Sequence, residues 1–176
     1  PLETLSETGQ EQLEDFLVNS LTLESELTAP AVRLVGILAS TMTGADLLEQ
    51  WDIMRMVALL LSSENEELNH LAVMAMTAVS AAAPDSSVML DSIPLLFGKC
   101  NDPSIGFYPL ICLSNITVDP INAAACVPYI PNLFQFIEFG DKISAQRALV
   151  TLHRIVMVPE VDEFIQSNPE IISEFY

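Results

Sequence analysis

Three sets of side chains in this sequence are of the types that do chemistry: the thiols Cys100, Cys112 and Cys126, the imidazoles His70 and His153, and the adjacent acids Glu66-Glu67 and Asp162-Glu163. Thiols 12 and 14 residues apart do not have the short spacing of a zinc knuckle, and an odd number does not close a disulfide framework. They read as buried, reduced cysteines. The histidines stand 83 residues apart on separate segments and read as surface or groove residues rather than as ligands of one metal. The paired acids fall at helix starts, where the macrodipole stabilises negative charge without any acid–base work. Asn115-Ile116-Thr117 fits a glycosylation acceptor, but it lies in an apolar helical stretch and reads as coincidence. With no Gly-rich phosphate loop, nucleophile elbow or metal-ligand cluster in the sequence, no catalytic residue, cofactor or metal is assigned, and a non-enzymatic role is expected.

Composition narrows the partners. Six Lys+Arg against 24 Asp+Glu give the 176 residues a net charge of −18, which repels nucleic acid phosphate and anionic lipid and favours protein segments that are basic or hydrophobic. Half of the chain, 51%, is hydrophobic, so core material is ample. The uncharged run over 103–118 is interrupted by Pro103, Gly106, Pro109 and Asn115 and is too short to cross a membrane. Unpaired thiols and an acidic start without a signal peptide predict a cytoplasmic or nuclear setting. The first residue is Pro rather than Met, which reads as a piece of a longer protein.

The elements that must position these residues repeat. A leading helix over 10–20 sets Leu13, Phe16 and Leu17 against Glu11, Glu14 and Asp15. An apolar triplet at i, i+4, i+7 then recurs as Ala31-Val35-Leu38, Ala72-Met76-Val79, Pro109-Leu113-Ile116 and Ala148-Leu152-Ile155, in steps of 41, 37 and 39. A second helix type carries an i, i+3 pair: Leu13-Phe16, Ile53-Met56, Ile93-Leu96, Ile130-Leu133 and Ile171-Glu174. Between the two types lie short helix-compatible pieces at Ala45–Gln50, Ser86–Asp91, Pro120–Cys126 and Glu160–Gln166, introduced by Gly44, Asp85, Asp119 and Pro159 as turn formers or caps. Pro103 after Asp102, Pro169 after Asn168, Pro30 and Pro131 suit first turns, and Glu64 to Glu67 place acid at a helix start. Pro109 falls inside an apolar helical stretch, and a bend is expected there. No segment alternates with period two, so the fold class is all-α.

Units of about forty residues with three helices each, ending the long helix in LSNIT at Leu113–Thr117, resemble armadillo repeats, whose long helix carries Leu-Ser-Asn-Leu-Ala at this place. Ile93-Pro94 and Ile130-Pro131 are similar to the Leu-Pro that opens the preceding helix. HEAT repeats are the near alternative, and three helices per unit favour armadillo. The resemblance implies a right-handed α-α superhelix of about four repeats, at 28–63, 64–100, 101–140 and 141–176, with each unit burying its neighbour's apolar face. It implies a non-catalytic scaffold or adaptor that binds a peptide or helical segment along a concave groove lined by the long helices. A regulatory or targeting module of a larger protein, similar to the armadillo regions of formins, kinase-associated proteins or myosin-directed chaperones, is the alternative. Carried over by position, the family's Asn site is Asn115 in one unit and Ile37, Ala78 and Arg154 in the others. Its Trp site is Arg33, Met74, Ile111 and Val150, and one turn earlier stand Ala29, His70, Phe107 and Gln146. The only tryptophan, Trp51, lies on another helix, which speaks against the basic-signal groove of nuclear-import receptors. The expected groove is therefore apolar at Phe107, Ile111 and Met74, flanked by Arg33 and Arg154, with Asn115 placed to bridge a peptide amide. Phe164, Ile165, Ile171, Ile172 and Phe175 leave an apolar end through which copies could associate.

Overall fold

Helix starts are set by side chains that accept the first free backbone N–H groups. The computed structural model describes residues 6–22, 25–85 and 87–167, and among these residues it contains helices and turns with no strand. Eleven α-helices are described: α1 (Glu7–Thr22), α2 (Thr28–Ala39), α3 (Met42–Gln50), α4 (Ile53–Leu59), α5 (Glu66–Ala82), α6 (Ser87–Lys99), α7 (Tyr108–Ile116), α8 (Pro120–Ala125), α9 (Ile130–Phe139), α10 (Lys142–Ile155) and α11 (Glu160–Ser167). Asn65 Oδ1 accepts from the N–H groups of Glu67 and Leu68 at 3.0 and 3.3 Å to open α5. Asp119 does the same for Ile121 and Asn122 before α8, at 2.9 and 3.0 Å, and Asp141 for Ile143 and Ser144 before α10, at 2.8 and 3.2 Å. The Asn65 and Asp119 caps each contribute about 1 kcal/mol. The Ser144 hydroxyl also donates to Asp141, and these bonds hold the Asp141 carboxyl below its ordinary pKa. Thr41 caps α3, so Gly44 is not the cap that its sequence position suggested; it lies inside the helix, buried.

The chain divides into two compact units, one ending at Val88 and one starting at Met89. In the first, α2 packs along α5, α1 meets α2 and α4, and α3 meets α2, α4 and α5. Its core holds Leu17, Val35, Leu48, Ile53, Met54, Leu61 and Met76, all essentially without exposure. The buried Asn69 amide donates to the Leu61 carbonyl and so satisfies a helix-end acceptor inside that core. In the second unit α10 packs on α7, α8 and α9, and Phe97 of α6 stacks on Tyr129, just before α9, with ring centroids 4.2 Å apart. Leu110, Leu113, Ile116, Leu133 and Ile155 fill its interior. Burying one such side chain stabilises by roughly 1.5–3 kcal/mol.

The apolar triplets occupy the interior as their spacing requires: Ala31, Val35, Ala72, Met76, Val79, Pro109, Leu113, Ile116, Ala148 and Ile155 are buried, while Leu38 and Leu152 are half-buried. Three local expectations are corrected. Pro109 does not bend a helix, because α7 starts at Tyr108 and Pro109 sits in its first turn, where the missing N–H costs nothing. The stretch before it is a set of turns rather than a helix begun at Pro103: Ile105 and Gly106 both donate to the Asp102 carbonyl at 3.2 and 3.3 Å, and Gly106 then adopts φ +66°, a conformation open to glycine that ends the run. The short piece expected at Ser86–Asp91 is not separate; from Ser87 it runs on unbroken through Pro94 as α6, with Ser86 outside the described residues. Pro169, the Ile171-Glu174 pair and the terminal residues Ile171, Ile172 and Phe175 lie outside the described residues, as do the side chains of Phe164 and Ile165.

Candidate functional site: outward faces of the long helices

In the first unit the site is built on α2 and α5. Their closest approach uses small residues, since a Cβ on Gly36 would meet Ala75 Cα at 3.7 Å. The cross-helix pairs Arg33–Glu67 and Gly36–Ala75 rise together in number, so the two helices run parallel. Residues four apart share a helix face. Arg33 and Ile37 accordingly stand outward on α2, with Ala29 half-buried one turn before them, and His70 and Met74 on α5, where Ala78 is half-buried. Arg33 Nη2 lies 2.8 Å from Glu67 Oε1, an exposed pair worth at most about 1 kcal/mol to stability, whose main effect is to neutralise the arginine. What remains open is apolar: Ile37 is 68% and Met74 48% exposed, one residue from each side of the Gly36–Ala75 contact.

In the second unit α7 and α10 supply the equivalent residues. Phe107 is the N-cap of α7, its ring 5.4 Å from that of Tyr108, and Phe107, Ile111 and Asn115 are all half-buried. On α10, Val150 and Arg154 are half-buried, whereas Gln146, Leu149 and His153 stand in solvent. Arg154 has a structural task. The Val118 N–H bonds to the Asn115 carbonyl and the Thr117 N–H to that of Leu113, each at 3.2 Å, so the Ser114 carbonyl takes no backbone N–H from either. Arg154 Nη1 donates to it, alongside the Thr117 hydroxyl, and places a cation at the negative end of α7. Beside this contact a cavity of about 460 Å³ is walled by Thr117, Val118, His153, Arg154 and Met157. The structure thus keeps Arg33, Ile37, His70 and Met74 together in one unit and Phe107, Ile111, Asn115, Val150 and Arg154 in the other. Glu67, Leu149 and His153 are additional members that helix spacing alone did not single out.

No protein-family model and no curated protein matches the chain. Among solved structures, a crystal structure described as an engineered protein, a Northeast Structural Genomics Consortium target, matches with a TM-score of 0.72 at 18% sequence identity. The match covers 85% of this chain and 63% of that one. At this identity the likeness concerns the fold alone.

The three thiols lie in the second unit, all buried. Burial pushes Cys100 and Cys126 up to about 12, with the neighbouring Cys112 adding to both. Among the described residues no group of three His, Cys, Asp or Glu side chains is placed to hold a metal ion, and no helix is long and apolar enough to cross a membrane. A folded-state pKa above the unfolded one means that the native protein holds protons that the unfolded chain releases. The stabilisation is therefore complete below the unfolded thiol pKa, about 8.5, and is lost as pH rises towards 12. Unfolding free energies from urea denaturation at pH 8 to 10.5 are expected to fall more steeply for this chain than for Cys100→Ala/Cys126→Ala, by up to about 1 kcal/mol per thiol per pH unit. Parallel curves would show that these thiols titrate as they do in the open chain.

Proposed function

We propose that the chain is an armadillo-like stack of three-helix repeats, a right-handed superhelix, acting as a non-catalytic scaffold that binds a peptide or helical segment of a partner protein across the outward faces of its long helices. The observation that carries this reading is the pair Ile37 and Met74: large apolar side chains left open on adjacent parallel helices whose inward residues are fully used in the core. Exposed apolar side chains gathered on one face favour recognition. The like helices of successive forty-residue units also support it. α2 and α5 run parallel, and the ends of α1 and α4 meet around one cavity through Leu21, Thr22, Met56 and Leu59.

The test is selection from a displayed library of random peptides about twelve residues long. The chain is expected to enrich defined sequences, and Ile37→Ser/Met74→Ser to bind them about tenfold or more weakly with unchanged helical circular dichroism. Phe107→Ala and Asn115→Ala give the corresponding readout in the second unit. Failure of the chain to enrich any peptide, or equal binding by all of these variants, overturns the scaffold reading.

A further inference from the structure

One helix of the second unit, α10, carries a charge pattern opposite to that of the chain. Three of the six Lys+Arg residues, Lys142, Arg147 and Arg154, lie on α10 together with His153, and α10 has no Asp or Glu. Neither α7 nor α8, both packed on α10, contains an acid, and the third neighbour, α9, has Glu138 alone. Asp119 and Asp141 are engaged as caps, and the next acids along the chain are Glu160, Asp162 and Glu163 of α11. Among the described residues the two ion pairs of the structure are both in the first unit, so none of the α10 cations is neutralised by one of them.

Helix electrostatics accounts for half of this pattern. His153 and Arg154 stand in the last turn of α10, where a cation is favourable, and Arg154 also caps α7. Lys142 is the first residue of the helix, where the macrodipole disfavours a cation, and Arg147 is in the middle, where the effect has died away. Their placement does nothing for the helix. At about 100° per residue Lys142 stands in line with Leu149 and His153, and Arg147 in line with Arg154; Leu149 is 56% exposed, and Val118 and Met157 line the cavity next to His153 and Arg154. Arg154 uses one N–H on Ser114, and a guanidinium has five in a planar fork suited to a carboxylate.

We infer that the face formed by α7, α8 and α10 receives an acidic, apolar-flanked segment of a partner protein, one carboxylate of which enters the cavity beside His153 and Arg154. This inference rests on the scaffold reading and names its partner's chemistry. A carboxylate docked here lies beside His153 and Arg154, while Arg147 and Lys142 stand about 10 and 18 Å further along α10 and, at a Debye length of about 8 Å, act on the residues that flank it; acids more than that length away are largely screened. An extended polyanion such as nucleic acid reaches past that distance and meets the repulsive field. The averaged charge favours basic partners, and the local charge selects an acidic one.

The experiment pans the full chain and its Lys142→Gln/Arg147→Gln/His153→Gln variant in parallel against the random peptide library. Arg154 is kept because it caps α7. The chain is expected to enrich peptides in which Asp or Glu is flanked by Leu, Ile or Phe, and their synthetic forms to bind the variant about tenfold or more weakly at equal helical content. Lys142→Gln alone, at an exposed first-turn position, is expected to weaken them about threefold and serves if the triple variant does not fold. Enriched peptides that are neutral or basic, or acidic ones bound equally by the variants, overturn this inference and leave the scaffold reading standing. No enrichment at all overturns both. Single-stranded DNA bound more tightly than the acidic peptides also overturns it and assigns the cations to nucleic acid.

Discussion

Gly44→Ala is expected to destabilise the first unit by about 3 kcal/mol, although alanine is the better helix former by about 0.5–1 kcal/mol. Gly44 lies inside α3, so propensity alone predicts a gain. The corner decides otherwise. Between the end of α2 at Ala39 and the start of α3 at Met42 there are only Ser40 and Thr41, and the Leu38 carbonyl already accepts the Thr41 N–H at 3.2 Å and the Thr41 hydroxyl at 3.1 Å. A Cβ at position 44 would fall on that carbonyl oxygen, with the Leu38 carbonyl carbon at 2.7 Å and Thr41 Oγ1 at 2.9 Å. Backbone cannot swing aside as a side chain does, so the corner must open and the Thr41 cap with it. Gly98→Ala is the control: this glycine is exposed within α6, and its Cβ would meet nothing within 4 Å, so the propensity gain of about 0.5–1 kcal/mol is expected there. Urea denaturation of both variants reads the two signs. A Gly44→Ala protein as stable as the parent would show that the corner is looser than its hydrogen bonds indicate.

Gly44 also shows where sequence reasoning stops. The apolar triplets were legible because a helix with open faces must bury its i, i+4, i+7 stripe whatever its neighbours are, and Met76, Leu113 and Ile116 do so. The cap at Asp119 was legible for the same local reason. Gly44 and Pro109 were misjudged, and the turn at Gly106 was not foreseen, because each depends on what lies across a corner. The first glycine makes room for a carbonyl of another helix, the second ends a run of turns, and only that ending puts Pro109 in a first turn instead of a helix interior.

The candidate site divides in a similar way. On α2 and α5, the positions carried over from the armadillo resemblance include Arg33, Ile37 and Met74, which are exposed, and His70, which is half-buried, yet Glu67, which neutralises Arg33, comes from a different unit of the period. On α10 the same resemblance chose Val150 and Arg154, and the more open residues are Leu149 and His153, one position earlier. Each residue turns a helix by about 100°, so a stripe one position earlier faces outward only if the helix is rotated by about that angle about its axis. Contacts set that rotation, here with Arg154 drawn to the Ser114 carbonyl. The clustering of cations on α10 was in the sequence throughout. Its meaning depended on learning that the helices packed around it hold almost no acid.

Leu113→Ala is expected to cost about 2–5 kcal/mol, while Ile37→Ala changes stability by less than about 0.5 kcal/mol. Both residues belong to long helices of the forty-residue period, and both are branched aliphatic side chains that composition would send to the core. Leu113 has no solvent exposure and sits with Leu110, Ile116 and Ile155 in the interior of the second unit, so truncation removes the transfer energy of the lost carbons and leaves a cavity besides. Ile37, 68% exposed, leaves no cavity when shortened. Urea denaturation should separate the two by several-fold in ΔΔG. Peptide binding should order them the other way, because Ile37→Ala removes contact surface from an intact fold, whereas Leu113→Ala, assayed well below its unfolding midpoint, retains the outward stripes of α2 and α5. A protein in which Ile37→Ala is as costly to stability as Leu113→Ala would have that side chain buried in solution, against another copy or another segment, and the open face on α2 would not exist.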